Sequence, residues 1–363
     1  MAWDTFRLQT RLSLSSNIIE EFYSLIAEID AVKNSWIVTT HLLPQTLERI
    51  TKSVIVTSTG ASNRIEGNRL TDDEVEDLYK GLRVKKFKTR DEQEIVGYLE
   101  CLEFIFKSYE GIPLSQSSIL HLHQEMLRVS EKDAGHRGKY KCGSNRVEAK
   151  DPSGNVVGVI FEPTPPYLVT KEMQELVDWY HWASAQHAKH PLILIGNFIF
   201  EYLAIHPFQD GNGRTSRLIT NLMLLQQGYL FTKVTSHEQI IEERKIDYYL
   251  ALNKTQQTWK TENEDISAWL LFFLRAMKEQ SARFMRLMQQ DTIEYLLSQK
   301  QLALWEWANE RGTEFARKDA TQALGFPQRT VEEIIKKLVH MKRLERLGEG
   351  KATRYRLARK TNP

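Results

Sequence analysis

Apolar side chains recur at helical spacing along most of this chain. The first run is NIIEEFYSLIAEIDAVKNSW, and the pattern resumes from about residue 91 in DEQEIVGYLECLEFIFKSY and SQSSILHLHQEMLRVS. Between residues 138 and 168 it gives way to GKYKCGSNRVEAKDPSGNVVGVIFEPTPPYLV, rich in Gly, Pro and β-branched residues, where DPSGN reads as a turn between two short runs able to pair as a hairpin. Helical spacing returns in TKEMQELVDWYHWASAQH and HPLILIGNFIFEYLAI, and after the turn HPFQDGNGR in TSRLITNLMLLQQ. There Leu218, Leu222 and Leu225 share the buried face and Gly228 stands where a helix ends. EQIIEERKIDYYLALNKTQ and ISAWLLFFLRAM complete a helical body. From about residue 288 three further helices are expected, in LALWEWANERG, RKDATQALG and QRTVEEIIKKLVHMKRL. They are followed by a short hairpin in ERLGEGKATRYRLA, an order that suggests a winged helix-turn-helix. The fold class is therefore mainly α with a small β-hairpin, in three segments: an N-terminal helical region (1–90), a central helical domain (91–275) and a C-terminal domain (288–360). No repeat or low-complexity segment breaks the pattern.

The apolar stretch 191–205 is too short to span a membrane and contains Glu201, so a buried helix is expected there. The opening MAWDTFRLQTRLSL lacks the basic and apolar regions of a signal peptide. The two cysteines, Cys101 and Cys142, are far apart and lack metal-site spacing, as in a reduced, cytoplasmic protein without structural zinc. Charge alters the picture in one place. Residues 311–360 hold 14 lysines and arginines against 6 acidic residues, a surplus of +8, whereas the rest of the chain, with 35 against 41, carries −6. The C-terminal domain is thus the part suited to an acidic partner.

The chemistry concentrates in His206–Pro207–Phe208–Gln209–Asp210–Gly211–Asn212–Gly213–Arg214–Thr215–Ser216–Arg217. An imidazole at the end of an apolar helix suits a general base near neutral pH. Asp210 is a hard oxygen ligand of the kind Mg²⁺ takes together with phosphates. Gly211 and Gly213 let backbone approach an anion, and the helix opening after them offers free N–H groups and a positive dipole end. Arg214 and Arg217, three apart, reach one ligand.

These residues resemble the Fic family, whose signature HxFx(D/E)GNGRxxR is matched at every specified position over a region of likeness spanning roughly 90–275. The resemblance implies a Fic helical bundle with a hairpin flap. It also implies transfer of AMP from ATP to a Ser, Thr or Tyr hydroxyl of a target protein, including the chain itself. His206 would be the base and Asp210 would hold Mg²⁺. Asn212 with the backbone of Gly211 and Gly213 would form the anion hole, while Arg214, Thr215, Ser216 and Arg217 would complete the ATP site and Phe208 would anchor the loop in the core. Tyr248, Tyr249 and Asn253 would line the adenine pocket, although a Tyr pair on an apolar helix is also ordinary core. The flap, Val157, Gly158, Val159 and Ile160 within the run from Asn155 to Phe161, would pair with the target backbone or be a surface hairpin without a partner. Ser62, Glu66 and Gly67 fit (S/T)xxx(E)(G/N), the family's inhibitory motif. This implies that Glu66 pairs with Arg217 and keeps it from the γ-phosphate, and AMP removal by the same glutamate stays open.

In the C-terminal domain Arg329 and Thr330 open the candidate recognition helix. Lys336, Lys337, Lys342 and Arg343 follow it, and Lys351, Arg354 and Arg356 lie in the wing. DNA is one candidate partner and a protein-docking role the other; a homodimer is compatible with either, and no membrane is expected. The competing reading of the whole chain is an ATP-sensing DNA-binding regulator whose Fic domain holds nucleotide without transfer. UMP, phosphate or phosphocholine stay open as the transferred group.

Overall fold

A computed structural model describes residues 3–39, 44–81, 87, 89–145, 147–150, 156–289, 297–341, 343–348 and 353–358. The chain divides into two compact units, the first formed by residues 1–39 and 50–289, the second by 40–49 and 290–363.

The first unit is a helical bundle built around one apolar helix. In order it contains α1 (Arg7–Thr10), α2 (Ser16–Thr39), α3 (Pro44–Ile65, which belongs to this unit from Ile50 onwards), α4 (Asp72–Gly81), α5 (Arg90–Ser108) and α6 (Gln116–Met126). A hairpin follows, β1 (Val147–Lys150) and β2 (Val156–Phe161), and then α7 (Pro166–Ala185), α8 (Pro191–Ile205), α9 (Asn212–Gln226), α10 (His237–Glu243), α11 (Lys245–Gln256) and α12 (Ser267–Gln289). The N-terminal helices belong to this same unit, with α2 packed on α12, and the boundary expected at 275 falls inside the continuous α12.

Helix α8 is the axis. His190 caps it by accepting from the Leu192 N–H, Pro191 fills the first turn where a missing N–H costs nothing, and every residue from Leu192 to Ile205 is buried. Helices α7, α9 and α12 cover it. Its one charged residue, Glu201, is buried against α1. Arg11 Nη1 donates to Glu201 Oε2 at 2.6 Å, Arg7 adds a second ion pair, and Trp259 Nε1 donates at 3.1 Å. Burial opposes the charge, yet Arg11 and Arg7 outweigh it and hold the carboxyl at about 2. Because this lies below the ordinary value, the stability it contributes is complete above about pH 4.5 and is lost as pH falls towards 2. Glu201→Gln removes the nearer of the two carboxylates on Arg11, leaving Glu264 Oε2 at 3.7 Å from Nη1, and is expected to cost about 3 kcal/mol, the low end for a broken buried pair. Thermal unfolding at pH 7 measures it, and an unchanged midpoint would mean that water already compensates the pair.

The hairpin is antiparallel, with Val147 opposite Phe161 and Ala149 opposite Gly158. Residues 151–155, where the expected DPSGN turn and Asn155 fall, lie outside the described residues, and of the expected flap the structure describes the backbone pairing of 156–161.

The second unit has α13 (Gln299–Arg311), α14 (Arg317–Leu324), α15 (Gln328–His340) and an antiparallel pair, β3 (Leu344–Leu347) and β4 (Arg354–Leu357). Phe315 and Tyr355 exchange backbone hydrogen bonds at 2.9 and 2.8 Å, tying the wing to the chain before α14. Leu304, Phe315, Val331, Ile334, Leu338 and Leu344 form its core. Among the described residues this unit has three helices followed by an antiparallel pair, in the order in which the sequence places these elements.

Candidate active site

The site forms where α8 ends and α9 begins. His206 is the C-terminal cap of α8, in the left-handed region at φ 52°, with its N–H donating to the Tyr202 carbonyl at 3.0 Å. That backbone reversal turns the imidazole out of the core and leaves it half-buried. Its Nδ1 faces the Leu203 carbonyl at 3.3 Å. A carbonyl only accepts, so Nδ1 carries the proton and Nε2 keeps its lone pair. Burial, followed by the Lys141 ammonium, lowers the imidazole to about 4, so it is neutral at pH 7.

The turn after His206 is held from three sides. Phe208 is fully buried and stacks on His123 with ring centres 3.6 Å apart. His123 Nδ1 accepts the Gly138 N–H at 2.9 Å, which makes Nε2 the protonated nitrogen, and this donates to the Asp210 carbonyl at 3.0 Å. Burial lowers His123 to about 4 as well, so its neutral tautomer acts as a fixed strut. Lys141 and Asn145 grip the opposite side: the Lys141 backbone donates to the Pro207 carbonyl at 2.9 Å, and Asn145 Nδ2 donates to the carbonyls of His206 (3.1 Å) and Phe208 (2.7 Å). The third brace is Asn212, whose side-chain amide both accepts from the Phe208 N–H and donates to the Phe208 carbonyl, each at 2.8 Å. This commits the Asn212 side chain to the loop and leaves its backbone N–H for an anion.

Helix α9 starts at Asn212 after Gly211, whose φ of 80° only glycine adopts without strain. Thr215 and Ser216 donate their hydroxyl protons to the Gly211 and Gly213 carbonyls, at 2.9 and 2.7 Å, so they staple the first turn. Asp210 is fastened by the Gly211 N–H (2.5 Å), by Arg90 Nη2 (3.1 Å) and by Arg214 Nη2 (3.4 Å). Burial opposes its charge, but Arg214, Gly211 and Arg90 together hold the carboxyl below its usual range. Glu94 and Asp133 bring carboxylate oxygens within 4.8 Å of Asp210, a hard oxygen set suited to Mg²⁺. Arg214 is 2% exposed; its Nη1 lies 3.4 Å from Glu94 Oε2, and its Nε and Nη1 have no hydrogen-bond acceptor among the described residues.

Ser62 and Glu66 converge on Arg217, and Gly67 ends the helix that carries them. The α3 helix ends in a Schellman motif, with the Gly67 N–H on the Arg64 carbonyl (3.1 Å), the Asn68 N–H on the Asn63 carbonyl (3.1 Å), and Gly67 at φ 98°. Glu66 is therefore the helix cap, at the dipole end that disfavours a carboxylate. Arg217 supplies the compensation: Nη2 donates to Glu66 Oε1 at 2.7 Å and to the Ser62 carbonyl at 2.9 Å, and Nε to Ser62 Oγ at 2.8 Å. The carboxylate overhangs the start of α9 so closely that a Cβ on Gly213 would lie 2.2 Å from Glu66 Oε1. Arg217 Nη1 is buried without a hydrogen-bond acceptor.

The two tyrosines of α11 divide. Tyr248 is buried against Trp269 and Phe272, with ring centres 5.7 Å from each. Tyr249 is 43% exposed and edge-on to Tyr248 at 5.0 Å. Burial, reinforced by the charge of Glu66, pushes the Tyr249 hydroxyl up to about 12. Asn253 accepts from Gln257 Nε2 at 3.2 Å on the same helix. The backbone of Val157, Gly158, Val159 and Ile160 lies in β2.

In the second unit Arg329 is 91% exposed and Thr330 stands beside it on α15 with Lys336, while Lys337 Nζ reaches Gln301 Oε1 at 2.9 Å. Glu332 and Glu333 share that helix, and Glu332 pairs with Arg317. Arg343 precedes β3, Arg354 opens β4, and Arg356 donates to Glu345 at 2.9 Å. Lys342 and Lys351 lie outside the described residues. Cys101 is buried and Cys142 exposed, and both are free thiols. Among the described residues no helix is long and apolar enough to cross a membrane.

Sequence reading missed His123, Lys141, Asn145 and Arg90. A signal existed for the first: His123 shares a helical face with Ile119, Leu122 and Met126, all buried. Lys141 and Asn145 sit in irregular backbone, where spacing carries no information.

Comparison with known proteins agrees with this geometry. The family model described as the Fic/DOC family matches residues 113–224, which include His206 to Arg217 and leave out Glu66 and Tyr249. The protein adenylyltransferase fic-1 of Caenorhabditis briggsae is 27% identical over 169 residues, 46% of this chain and 31% of that protein. The protein adenylyltransferase Fic of Drosophila virilis is 30% identical over 169 residues, 46% of this chain and 32% of that one. The chain thus spans about a third of the length of these curated relatives. Among solved structures, a Fic family protein from Desulfovibrio desulfuricans G20 has a TM-score of 0.65 at 24% identity, covering 97% of this chain and 98% of the other. Residues 134–508 of Fic-1 from C. elegans give 0.60 at 19% identity, covering 76% and 75%. These are likenesses of fold. The signature, the helical architecture and the relatives agree on one segment, residues 113–224, which is a Fic/DOC family match within this chain.

Proposed function

We propose that this protein transfers AMP from ATP to a Ser, Thr or Tyr hydroxyl of a protein, itself included, and that Glu66 restrains it. One observation carries the reading: a neutral imidazole whose Nε2 keeps its lone pair stands at the head of a helix N-terminus flanked by two buried arginines, each with an N–H group that has no hydrogen-bond acceptor among the described residues. The target hydroxyl gives its proton to His206 Nε2. Its oxygen bonds to the α-phosphorus, the bond from that phosphorus to the bridging oxygen breaks, and pyrophosphate leaves with the electron pair. The backbone N–H groups at the start of α9 and the guanidinium of Arg214 take the growing negative charge, and Arg217 takes the terminal phosphate once Glu66 is displaced. Asp210, with Glu94 and Asp133 beside it, would hold Mg²⁺, which neutralises phosphate charge when bound. The chain needs no nucleophile of its own, so its contribution is position, a base and charge. Tyr249 offers an aromatic face to adenine, and the free edge of β2 offers backbone to the target.

The second reading, an ATP-sensing regulator, draws on the basic surplus of residues 311–360 and the exposed Arg329 for DNA contact. It needs nucleotide binding alone. Incubation of the purified chain with α-labelled and, separately, γ-labelled ATP decides: AMP transfer labels protein from the first only. Label from neither nucleotide, with ATP bound, would favour the regulator.

A further inference from the structure

The loop that presents His206 has a second wall. Beside it opens a cavity of about 510 Å³ whose lining includes Lys141, Asn145, Pro163, Trp259 and Lys260, with Glu162 its one acidic residue against the two lysines. Lys141 is 5% exposed, and its Nζ donates to Asn145 Oδ1 at 2.6 Å and to the Ile205 carbonyl at 3.2 Å. Neither acceptor is a carboxylate, and an ammonium has three protons to give. Lys260 differs: it donates to Glu172 Oε1 at 2.6 Å and lies over the Trp259 ring at 4.1 Å.

We propose that this cavity receives an acidic side chain of the polypeptide being modified, an aspartate or glutamate close in sequence to the accepting hydroxyl, with its carboxylate on Lys141 and its methylenes against Trp259 and Pro163. The proposal rests on the transfer reading, since it names the recognition element of that substrate.

Three independent features support it. The first is position. Lys141 and Asn145 hydrogen-bond the backbone of Ile205, His206, Pro207 and Phe208, so the cavity wall is the reverse side of the catalytic loop, and a chain whose hydroxyl lies at His206 reaches the cavity with its neighbouring residues. The second is continuity with the flap. Strand β2 ends at Phe161, which packs on Trp259 with ring centres 5.4 Å apart, and the next residues form the far wall of the cavity. A target strand laid on β2 therefore runs off it into this space. The third is charge. Among the described residues no carboxylate lies within ion-pair distance of Lys141, although Glu172 acts on it from further off, and burial lowers its ammonium to about 8. A carboxylate in the cavity supplies the missing partner.

The consequence reaches the chemistry. After burial, Lys141 is the main cause of the weak basicity of His206. A target carboxylate on Lys141 offsets that field, so the base strengthens when the right polypeptide is seated.

The test uses the full chain and fluorescein-labelled peptides with one central threonine, in which a single Glu or Gln is moved through the three positions on either side. Fluorescence polarisation without ATP is expected to show one position where Glu binds about ten-fold more tightly than Gln. Lys141→Met should erase that preference and Lys141→Arg should keep it. Imidazole NMR of the wild-type chain should show the His206 midpoint moving upwards with the Glu peptide and not with its Gln counterpart. Equal binding of Glu and Gln peptides at every position overturns the proposal in the wild-type protein, whatever the variants do, as does a preference that survives in folded Lys141→Met. Neither readout involves nucleotide, so loss of AMP transfer alone would strike the transfer reading and leave these results to judge the cavity.

Discussion

Glu66→Gly is expected to raise AMP incorporation from α-labelled ATP about ten-fold or more, seen first as self-modification. The carboxylate donates nothing to transfer in this scheme; it occupies Arg217 at 2.7 Å and overhangs Gly213, where the terminal phosphate must lie. Burial works against the charge of Arg217, and Glu66 more than restores it, keeping the guanidinium above its ordinary value. A charge-assisted hydrogen bond of this kind contributes about 1.5–3 kcal/mol, and because the Glu66 side chain is 36% exposed the lower end applies, which corresponds to about ten-fold in productive occupancy. The cap itself tolerates the change, since Gly67 already makes the helix-ending turn. Comparing label in wild type and variant at equal concentration is decisive. Equal label would reduce Glu66 to an ordinary helix-end carboxylate.

His206→Ala is expected to lower transfer by about 10²–10⁴, in the wild type and equally in the Glu66→Gly background, while ATP affinity changes little. The base touches the target hydroxyl and none of the groups assigned to phosphate. With His206 held at about 4, its neutral form persists well below the ordinary histidine value. The sign is unambiguous: a depressed imidazole is ready to accept a proton at any pH above its own midpoint. The kcat/KM of the Glu66→Gly protein should therefore stay level from about pH 8 down to about pH 5 before it falls. An acid limb near the usual histidine value of about 6.5 would show that the imidazole titrates as if solvated. Retention of transfer by His206→Ala would remove it as the base.

Much of the site was legible because it is local. His206 to Arg217 is a single turn, where spacing alone places base, carboxylate, glycines and arginines together, and Ser62 and Glu66 lie on one helix end. Glu201 announced itself as a charge inside an apolar helix, but its partners did not. Arg7 and Arg11 arrive from 190 residues away or more, and a pairing of that separation leaves no trace in local periodicity. The struts under the loop are of the same kind. Asn145 and Lys141 act through backbone carbonyls, which every residue has, so nothing in the sequence marks what they hold. Asn212 shows how a role can divide within one residue: its side-chain amide is spent on Phe208, and its backbone N–H is what it can offer an anion.

The end of α3 is pinned independently of Glu66. Arg64, two residues earlier, makes a bidentate pair with Glu242 on α10 at 2.6 and 3.0 Å and a third contact with Asp72 at 2.9 Å. The backbone therefore stays in place when the carboxylate lets go, and relief of the restraint is a change of rotamer at one exposed side chain. Such changes take picoseconds to nanoseconds, far faster than a helix shift. A nucleotide competing for Arg217 would then meet a simple occupancy equilibrium, with no slow opening step and no lag before turnover.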